Sequence, residues 1–102
     1  MSSQSPDPAP TGGSARRTTR ITNSQGLHAR PCHAIVSAAL EYHSDLRVRC
    51  GEREVNGKSI LELMTLNAAC GARLELIARG RDAASLLDRL EALIGSGFGE
   101  SP

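Results

Sequence analysis

The stretch LRVRCGEREV, residues 46–55, decides the fold class of this chain. In its first half every second residue is apolar and the residues between are arginines, which is the period-two pattern of a strand with one buried and one solvated face. Gly51 and Glu52 fit a two-residue hairpin turn of the type that begins with glycine, so residues 53–55 are predicted to return as a second short strand. Because antiparallel strands of this kind keep one face in water, we expect the helices of the chain to cover the other face.

Helical and strand patterns on both sides of this hairpin complete the predicted fold. Residues 29–42 and 83–94 carry apolar side chains at the spacing of a buried helical stripe, and residues 16–22 and 73–79 are predicted as further strands. A short helix is predicted to begin after Ser59. The order is therefore β-α-β-β-α-β-α, and the predicted class is α+β, with a four-stranded, mostly antiparallel sheet and three helices on one face. The stripe residues are Cys32, Ile35, Val36 and Ala39 in the first helix, and Ala83, Leu86, Leu87, Leu90, Leu93 and Ile94 in the last.

Particular residues mark where the predicted helices begin and end. Pro31 suits a first helical turn, where its missing N–H has no intrahelical partner to lose. Ser59 with Glu62 three residues later is a capping-box pattern. Asp82 is predicted to cap the last helix, which Gly95 ends.

Length and composition predict one domain preceded by a tail. The chain has 102 residues, enough for one modest core. Residues 1–15 are rich in Ser, Pro and Gly and cannot bury enough apolar surface to offset their ordering entropy, so we predict a disordered tail and a domain over residues 16–100. The chain has 12 Lys and Arg against 11 Asp and Glu, and its only aromatic residues are Tyr42 and Phe98. This balance and the lack of stacking rings argue against nucleic-acid binding.

The sequence predicts a cytoplasmic protein without membrane insertion. Its longest apolar runs are far shorter than the roughly 20 residues of a membrane span, and the N-terminus lacks the apolar region of a signal peptide. Cys32, Cys50 and Cys70 are an odd number with no close pair, which does not indicate a disulfide framework.

The segment GLHARP, residues 26–31, carries the candidate chemistry. His28 immediately precedes a predicted helix, and the free backbone N–H groups of Ala29 and Arg30, with the positive end of the helix dipole, form an anion site. The Arg30 guanidinium adds a fixed charge with donors suited to phosphate oxygens. A neutral imidazole has a free ring nitrogen that can attack phosphorus. Nucleophile and phosphate cradle are therefore predicted within one turn of chain.

GLHARP resembles the active-site signature of the HPr family, the phosphocarriers of the bacterial phosphotransferase system. VNGKSILELMTL, residues 55–66, resembles the second signature of that family, and the likeness extends over about residues 17–100. The family has the β-α-β-β-α-β-α order and an open-faced β-sandwich. The resemblance implies that His28 accepts a phosphoryl group on Nδ1 from enzyme I and passes it to an enzyme IIA-type domain, with Arg30 binding the phosphate. It implies a monomeric stoichiometric carrier without cofactor, metal or turnover of its own.

The same resemblance implies a regulatory site and a docking surface. Ser59 falls where many HPr proteins carry a serine phosphorylated by HPr kinase/phosphorylase. The positions of Ile60 and Met64 are exposed in the family and form an apolar patch beside the active histidine. His33 is predicted at the rim of the site, and Cys32, which stands where the family has a small Ala or Ser, is predicted to pack in the core. The predicted docking residues are Leu27, His33, Ile60, Leu63 and Met64.

Other functions remain open from the sequence. His28 and Cys32 are four residues apart and could share a helix face as metal ligands, with His33 adjacent, although a zinc site needs about four ligands. A small α+β regulatory or ligand-binding domain without phosphotransfer would have the same element order. Whether the chain serves sugar transport or a nitrogen-related regulatory branch is open too.

Overall fold

The structure, a computed structural model, describes residues 13–100. Its elements follow the predicted order, and the predicted α+β class is confirmed. In chain order they are β1 (Ser14–Arg20), α1 (Ala29–Ala39), β2 (Asp45–Cys50), β3 (Arg53–Asn56), α2 (Ile60–Met64), β4 (Arg73–Arg79) and α3 (Ala83–Gly95), followed by a 3₁₀ turn at Gly97–Gly99.

The four strands form one sheet in the order β1-β4-β2-β3, and each neighbouring pair is antiparallel. Since β1 and β2 both run antiparallel to β4, which lies between them, they are parallel to each other, and α1 is the crossover that joins them. Burial alternates along β2 and β4, as predicted for strands with one solvated face. The turn between β2 and β3 has a positive φ of 64° at Gly51, the conformation for which glycine is suited at that position.

The core lies between the helices and the inner face of the sheet. It is built from aliphatic side chains, and the predicted stripe residues of α1 and α3 are buried, except Leu93, which is partly buried. Leu46 and Val48 of β2 pair with Ala78 and Leu76 of β4 on the inner face. Burial of these aliphatic groups stabilises the sheet against the helices.

The first strand begins at Ser14, so the predicted domain start at residue 16 is two residues too late. Ser14 and Ala15 pair with Arg79 and Ala78 at the end of β4, and Ala15 packs against the core. Ser14 is exposed, and the small Ala15 side chain is the one that faces the core. Residues 1–12 of the predicted tail lie outside the described residues.

Helix α1 ends at Ala39, earlier than the predicted Tyr42. After Ala39 the backbone hydrogen bonds join residues three apart, as in a 3₁₀ helix. The N–H groups of Glu41 and Tyr42 donate to the carbonyls of Ala38 and Ala39. The Tyr42 carbonyl accepts from Lys58 Nζ at 2.9 Å. Side-chain capping from another part of the chain therefore fixes the end of this turn.

The capping box predicted at α2 is half formed. Ser59 Oγ accepts from the backbone N–H of Glu62 at 3.2 Å, as predicted for an N-cap. The Glu62 carboxylate accepts from the N–H of Asn56 at 2.9 Å and not from that of Ser59. Ser59 donates its own N–H to the Asn56 carbonyl at 3.2 Å. Glu62 thereby ties α2 to the end of β3.

Asp82 precedes α3 as predicted, but its side chain makes no capping bond. Its carboxylate accepts from the backbone N–H groups of His43 and Ser44, at 2.8 and 2.9 Å, and from Ser44 Oγ. These bonds, the Ser44 hydroxyl foremost, lower the pKa of Asp82 to about 2. The prediction of a side-chain cap was wrong because a loop distant in sequence offers three donors to the same carboxylate.

Candidate functional site

His28 is the N-cap residue of α1, and its side chain is free for other partners. Its backbone is extended, with φ −85° and ψ −172°, and its carbonyl accepts from the Cys32 N–H at 3.2 Å. The imidazole makes no capping bond and is 35% exposed. The structure therefore presents the ring at the surface, at the positive end of the helix.

The loop before His28 is held by close packing against the loop after α2. Gly26 has a positive φ of 69°, and a Cβ there would overlap the Ala68 carbonyl oxygen and lie 2.9 Å from Ala69 Cα. Leu27 donates its N–H to the same Ala68 carbonyl at 2.9 Å. A residue with a side chain at position 26 would push the two loops apart, so glycine is required there.

The first turn of α1 is arranged to receive an anion. The N–H groups of Ala29 and Arg30 precede the first intrahelical bond and point out of the helix end. This turn contains no acidic residue. Arg30 is exposed, and among residues 13–100 its guanidinium forms no ion pair. Backbone donors and the positive end of the helix dipole thus lie next to His28, and Arg30, two residues further on, has no ion pair among residues 13–100.

On its other side the His28 ring contacts a carboxylate that the sequence did not indicate. Nε2 lies 3.1 Å from Glu100 Oε2 and 3.3 Å from Oε1. Asn23, which is wholly buried, donates from Nδ2 to Glu100 Oε1 at 3.2 Å and to the Gly26 carbonyl at 2.8 Å. Glu100 and His28 are 72 positions apart. No periodicity or spacing in the sequence could join them, because the contact depends on how the chain returns after α3.

The predicted docking residues divide into buried and exposed sets. Leu63 is 0% exposed and cannot contact a partner in this conformation, and Leu27 is only 5% exposed. Their prediction as docking residues is corrected: both side chains belong to the core, and Leu27 contributes only an edge to the surface beside His28. Ile60 is half-buried against the core, Met64 is 40% exposed, and His33 is exposed on α1.

Met64 lies beside the imidazole in a shallow groove of about 300 Å³. The groove is lined by Gln25, Leu27, His28, Met64, Asn67, Ala68 and Ala69. Leu61, also on α2, is 80% exposed but does not line it. Sequence reasoning missed Leu61, although a helix of only five residues with one buried side chain leaves its neighbours in solvent.

Cys32 is a core residue, as predicted. It is 0% exposed, and its thiol points to the Leu27 carbonyl oxygen, 3.7 Å away. Burial raises the pKa of the Cys32 thiol to about 11. Its sulfur faces the core while His28 Nε2 faces Glu100, so the two do not form a shared metal site. Over residues 13–100 no cluster of three or more His, Cys, Asp or Glu side chains is placed to hold a metal ion.

Ser59, the predicted phosphosite, is half-buried at the start of α2, directly before Ile60. Within the described part of the chain, no helix is long and apolar enough to cross a membrane.

Comparison with known proteins identifies relatives over most of the chain. A family model described as "PTS HPr component phosphorylation site" matches residues 15–96. The phosphocarrier protein HPr of Treponema pallidum is 38% identical over 84 residues, which cover 82% of this chain and 96% of that protein. The phosphocarrier protein NPr of Shewanella violacea is 32% identical and covers 83% of this chain and 93% of its own length. The crystal structure of HPr from Thermoanaerobacter tengcongensis superposes with a TM-score of 0.82 at 36% identity, over 86% of this chain and 99% of the other.

Proposed function

The chain belongs to the HPr family of phosphoryl carriers of the phosphotransferase system, and from this membership we propose that His28 is the residue that carries the phosphoryl group. The observation that supports His28 is its placement. Its imidazole is 35% exposed at a helix N-terminus that contains no acidic residue in its first turn, and Arg30, in that same turn, forms no ion pair among the described residues. His33 lies one turn further along α1 and has no such surroundings.

In the proposed transfer, the lone pair of His28 Nδ1 attacks the phosphorus atom of a donor phosphohistidine. An N–P bond forms on His28 while the P–N bond of the donor breaks, and its electron pair returns to the donor nitrogen. The N–H groups of Ala29 and Arg30 and the Arg30 guanidinium stabilise the phosphoryl oxygens. Because the site is shallow and open to solvent, the group is not enclosed, and the same step can run in reverse toward the next acceptor.

Membership in the phosphotransferase system implies enzyme I as donor and enzyme IIA-type domains as acceptors. We propose that both dock over the groove beside His28, where Met64 offers an adaptable apolar side chain, with Ile60 and His33 at its margins. The chain is similar to both HPr and NPr proteins. The branch it serves, sugar transport or nitrogen-related regulation, is decided by which enzyme IIA accepts phosphate from it. We propose that the chain acts as a monomer in the cytoplasm.

The decisive experiment is phosphorylation by a cognate enzyme I with phosphoenolpyruvate. We expect the chain to gain one phosphoryl group that is stable in alkali and lost in acid, as a phosphoramidate is. His28→Ala should abolish uptake, whereas His33→Ala, which removes an exposed histidine from the same helix, should retain it. Uptake by the His28 variant, or an acid-stable product in the wild type, would refute the proposal.

We further propose Ser59 as a regulatory phosphosite for HPr kinase/phosphorylase. Its position supports this role, because a phosphate at the N-cap of α2 would lie at the positive end of that helix and next to Ile60. It would add negative charge near the surface on which enzyme I must dock.

A further inference from the structure

We propose that Glu100, held in place by Asn23, is a positioning residue that keeps the ring proton of His28 on Nε2 and so presents Nδ1 as the nucleophile. The inference deepens the proposed phosphorylation of His28 and rests on it. It concerns two residues outside both sequence signatures.

The hydrogen bond between His28 and Glu100 has one possible direction. Both carboxylate oxygens lie within 3.3 Å of Nε2, and a carboxylate can only accept. Nε2 is therefore the donor, which in a neutral imidazole leaves Nδ1 unprotonated, with its lone pair available. At 17% exposure the Glu100 side chain is shielded from competing water.

The Glu100 carboxylate is held in place by Asn23. Asn23 donates from Nδ2 to both Glu100 Oε1 and the Gly26 carbonyl. Rotating the amide by half a turn would set Oδ1 against these two acceptors, so the network fixes its orientation. Among the described residues, Asn23 Oδ1 has no hydrogen-bond partner although it is buried. A buried acceptor without a hydrogen-bond partner lowers the free energy of unfolding. The amide orientation that holds Glu100 is therefore kept at some cost in stability.

The ring proton stays on Nε2 throughout the proposed transfer. When Nδ1 attacks phosphorus, Nε2 keeps its hydrogen and continues to donate to Glu100, so the ring becomes an imidazolium and no proton moves during bond exchange. The hydrogen bond persists in the phosphorylated ring and holds it in the orientation of the free ring. A site that must transfer in both directions benefits, because the ring need not reorient between the two states.

The carboxylate also carries a charge, which acts in two directions. It repels the negatively charged phosphoryl donor, and it stabilises the positive charge that the ring gains when Nδ1 binds phosphorus. Glu100→Gln separates charge from positioning, because it keeps an acceptor oxygen for Nε2–H and removes the charge. A rate for Glu100→Gln as slow as that for Glu100→Ala would mean that Glu100 acts through its charge and would overturn its positioning role.

The test uses the full chain and phosphoramidate, a small donor that phosphorylates histidine without a docked protein and releases ammonia. Glu100→Ala should slow phosphorylation of His28 by about tenfold, the order expected for losing one charge-assisted hydrogen bond that orients the ring. Glu100→Gln keeps an acceptor oxygen without the charge and should retain at least half of the wild-type rate. Glu91→Ala is the matched control, because its carboxylate pairs with Arg17 away from the site, and it should leave the rate unchanged.

A second readout needs no phosphorylation. Two-bond ¹H–¹⁵N spectra of the neutral ring should show Nδ1 unprotonated in the wild type and an Nε2 proton protected from solvent exchange. In Glu100→Ala that protection should be lost and the fraction protonated on Nδ1 should rise. An unchanged ring spectrum, or faster phosphorylation of Glu100→Ala, would overturn the inference while leaving His28 as carrier. Failure of the wild type to be phosphorylated at all would overturn the proposed function, whatever the ring spectrum shows.

Discussion

The backbone N–H of Leu27 donates to the carbonyl of Ala68 at 2.9 Å, and this bond joins the loop that ends at His28 to the loop that follows α2. The first sequence signature is thereby held against the loop that follows the second. Gly26 allows the close approach, and the groove that contains Met64 and the imidazole lies at the junction. The proposed phosphoryl site and the proposed docking surface are consequently held together by the same contact between loops.

Gly26→Ala tests this junction. The new Cβ would overlap the Ala68 carbonyl, and the alanine would have to adopt the positive φ of the glycine. We therefore expect a loss of roughly 2 kcal/mol in the free energy of unfolding. Gly71→Ala is the control, since Gly71 also has a positive φ but a Cβ added there would meet nothing within 4 Å; it should cost about 1 kcal/mol, from backbone strain alone. Urea unfolding measures both, and equal losses would show that the close approach is unimportant.

Arg30→Ala should slow transfer onto His28 by roughly 10 to 1000-fold, the scale of losing one charge-stabilising donor. The free energy of unfolding should change by less than about 0.5 kcal/mol, because the side chain is exposed and unpaired among the described residues. Phosphorylation by enzyme I, followed in time, measures the rate. Arg81→Ala, which removes an exposed arginine before α3, should transfer at the wild-type rate. Transfer by Arg30→Ala at that rate would leave Arg30 a solvated charge.

Met64→Asp should weaken binding to enzyme I at least tenfold, because the groove beside His28 would gain a charge that must be desolvated on docking. The melting temperature should fall by no more than a few degrees, since the side chain is 40% exposed. Leu61→Asp alters an exposed leucine of the same helix outside the groove and should bind as the wild type does. Binding is measured by calorimetric titration. If Leu61→Asp were the more damaging variant, the docking surface would lie on the outer side of α2.

Asp82 makes the stability of the fold depend on pH in the acid range. Its pKa in the folded chain is about 2, below the ordinary 3.8, so the stability it contributes is complete above about pH 4 and is lost as the pH falls toward and through 2. Asp82→Asn should therefore lower the melting temperature at pH 7, and the difference from the wild type should narrow between pH 4 and pH 2. Asp88 forms an exposed ion pair with Arg17, so Asp88→Asn should lower the melting temperature only slightly at pH 7. A difference for Asp82→Asn that stays constant with pH would contradict the assignment.

The sequence predicted the elements where a single local pattern determines structure and burial. The alternation in β2 and β4 and the stripes of α1 and α3 have that character, because the period of apolar residues matches the geometry of the element. The turn that we propose as the phosphoryl acceptor could be singled out for the same reason, since His28, Arg30 and the helix start are adjacent in the chain. Prediction failed where a side chain has possible hydrogen-bond partners both close to it in the sequence and distant from it. Asp82 binds the loop after α1 instead of its own helix, and Glu62 accepts from Asn56.

The docking surface was only partly predictable for a related reason. Helical spacing places Ile60, Leu63 and Met64 on one face, but it does not say which of them the loop before His28 covers. The structure buries Leu63 and leaves Met64 exposed beside the imidazole. The contact of Glu100 with His28 could not be predicted from the sequence, because it depends on the path of the chain after α3.

Ser59→Asp tests regulation through α2. Asp is as good an N-cap as Ser, and its carboxylate can accept from the Glu62 N–H as Ser59 Oγ does, at the positive end of the helix. The variant should therefore be as stable as the wild type or more so. Its charge lies next to Ile60 and must be desolvated, or meet acidic groups, when enzyme I docks. We expect phosphorylation of His28 by enzyme I to fall tenfold or more, equivalent to about 1.4 kcal/mol.

Ser59→Asn separates charge from capping in the same experiment, because it retains an N-cap acceptor of the same shape without the charge. It should be phosphorylated at close to the wild-type rate. With phosphoramidate as donor, Ser59→Asp should also react at the wild-type rate, since no protein has to dock. A slow reaction with phosphoramidate would mean that the charge acts on His28 itself. A wild-type rate with enzyme I would confine Ser59 to capping, because the added charge would then lie outside the docked surface.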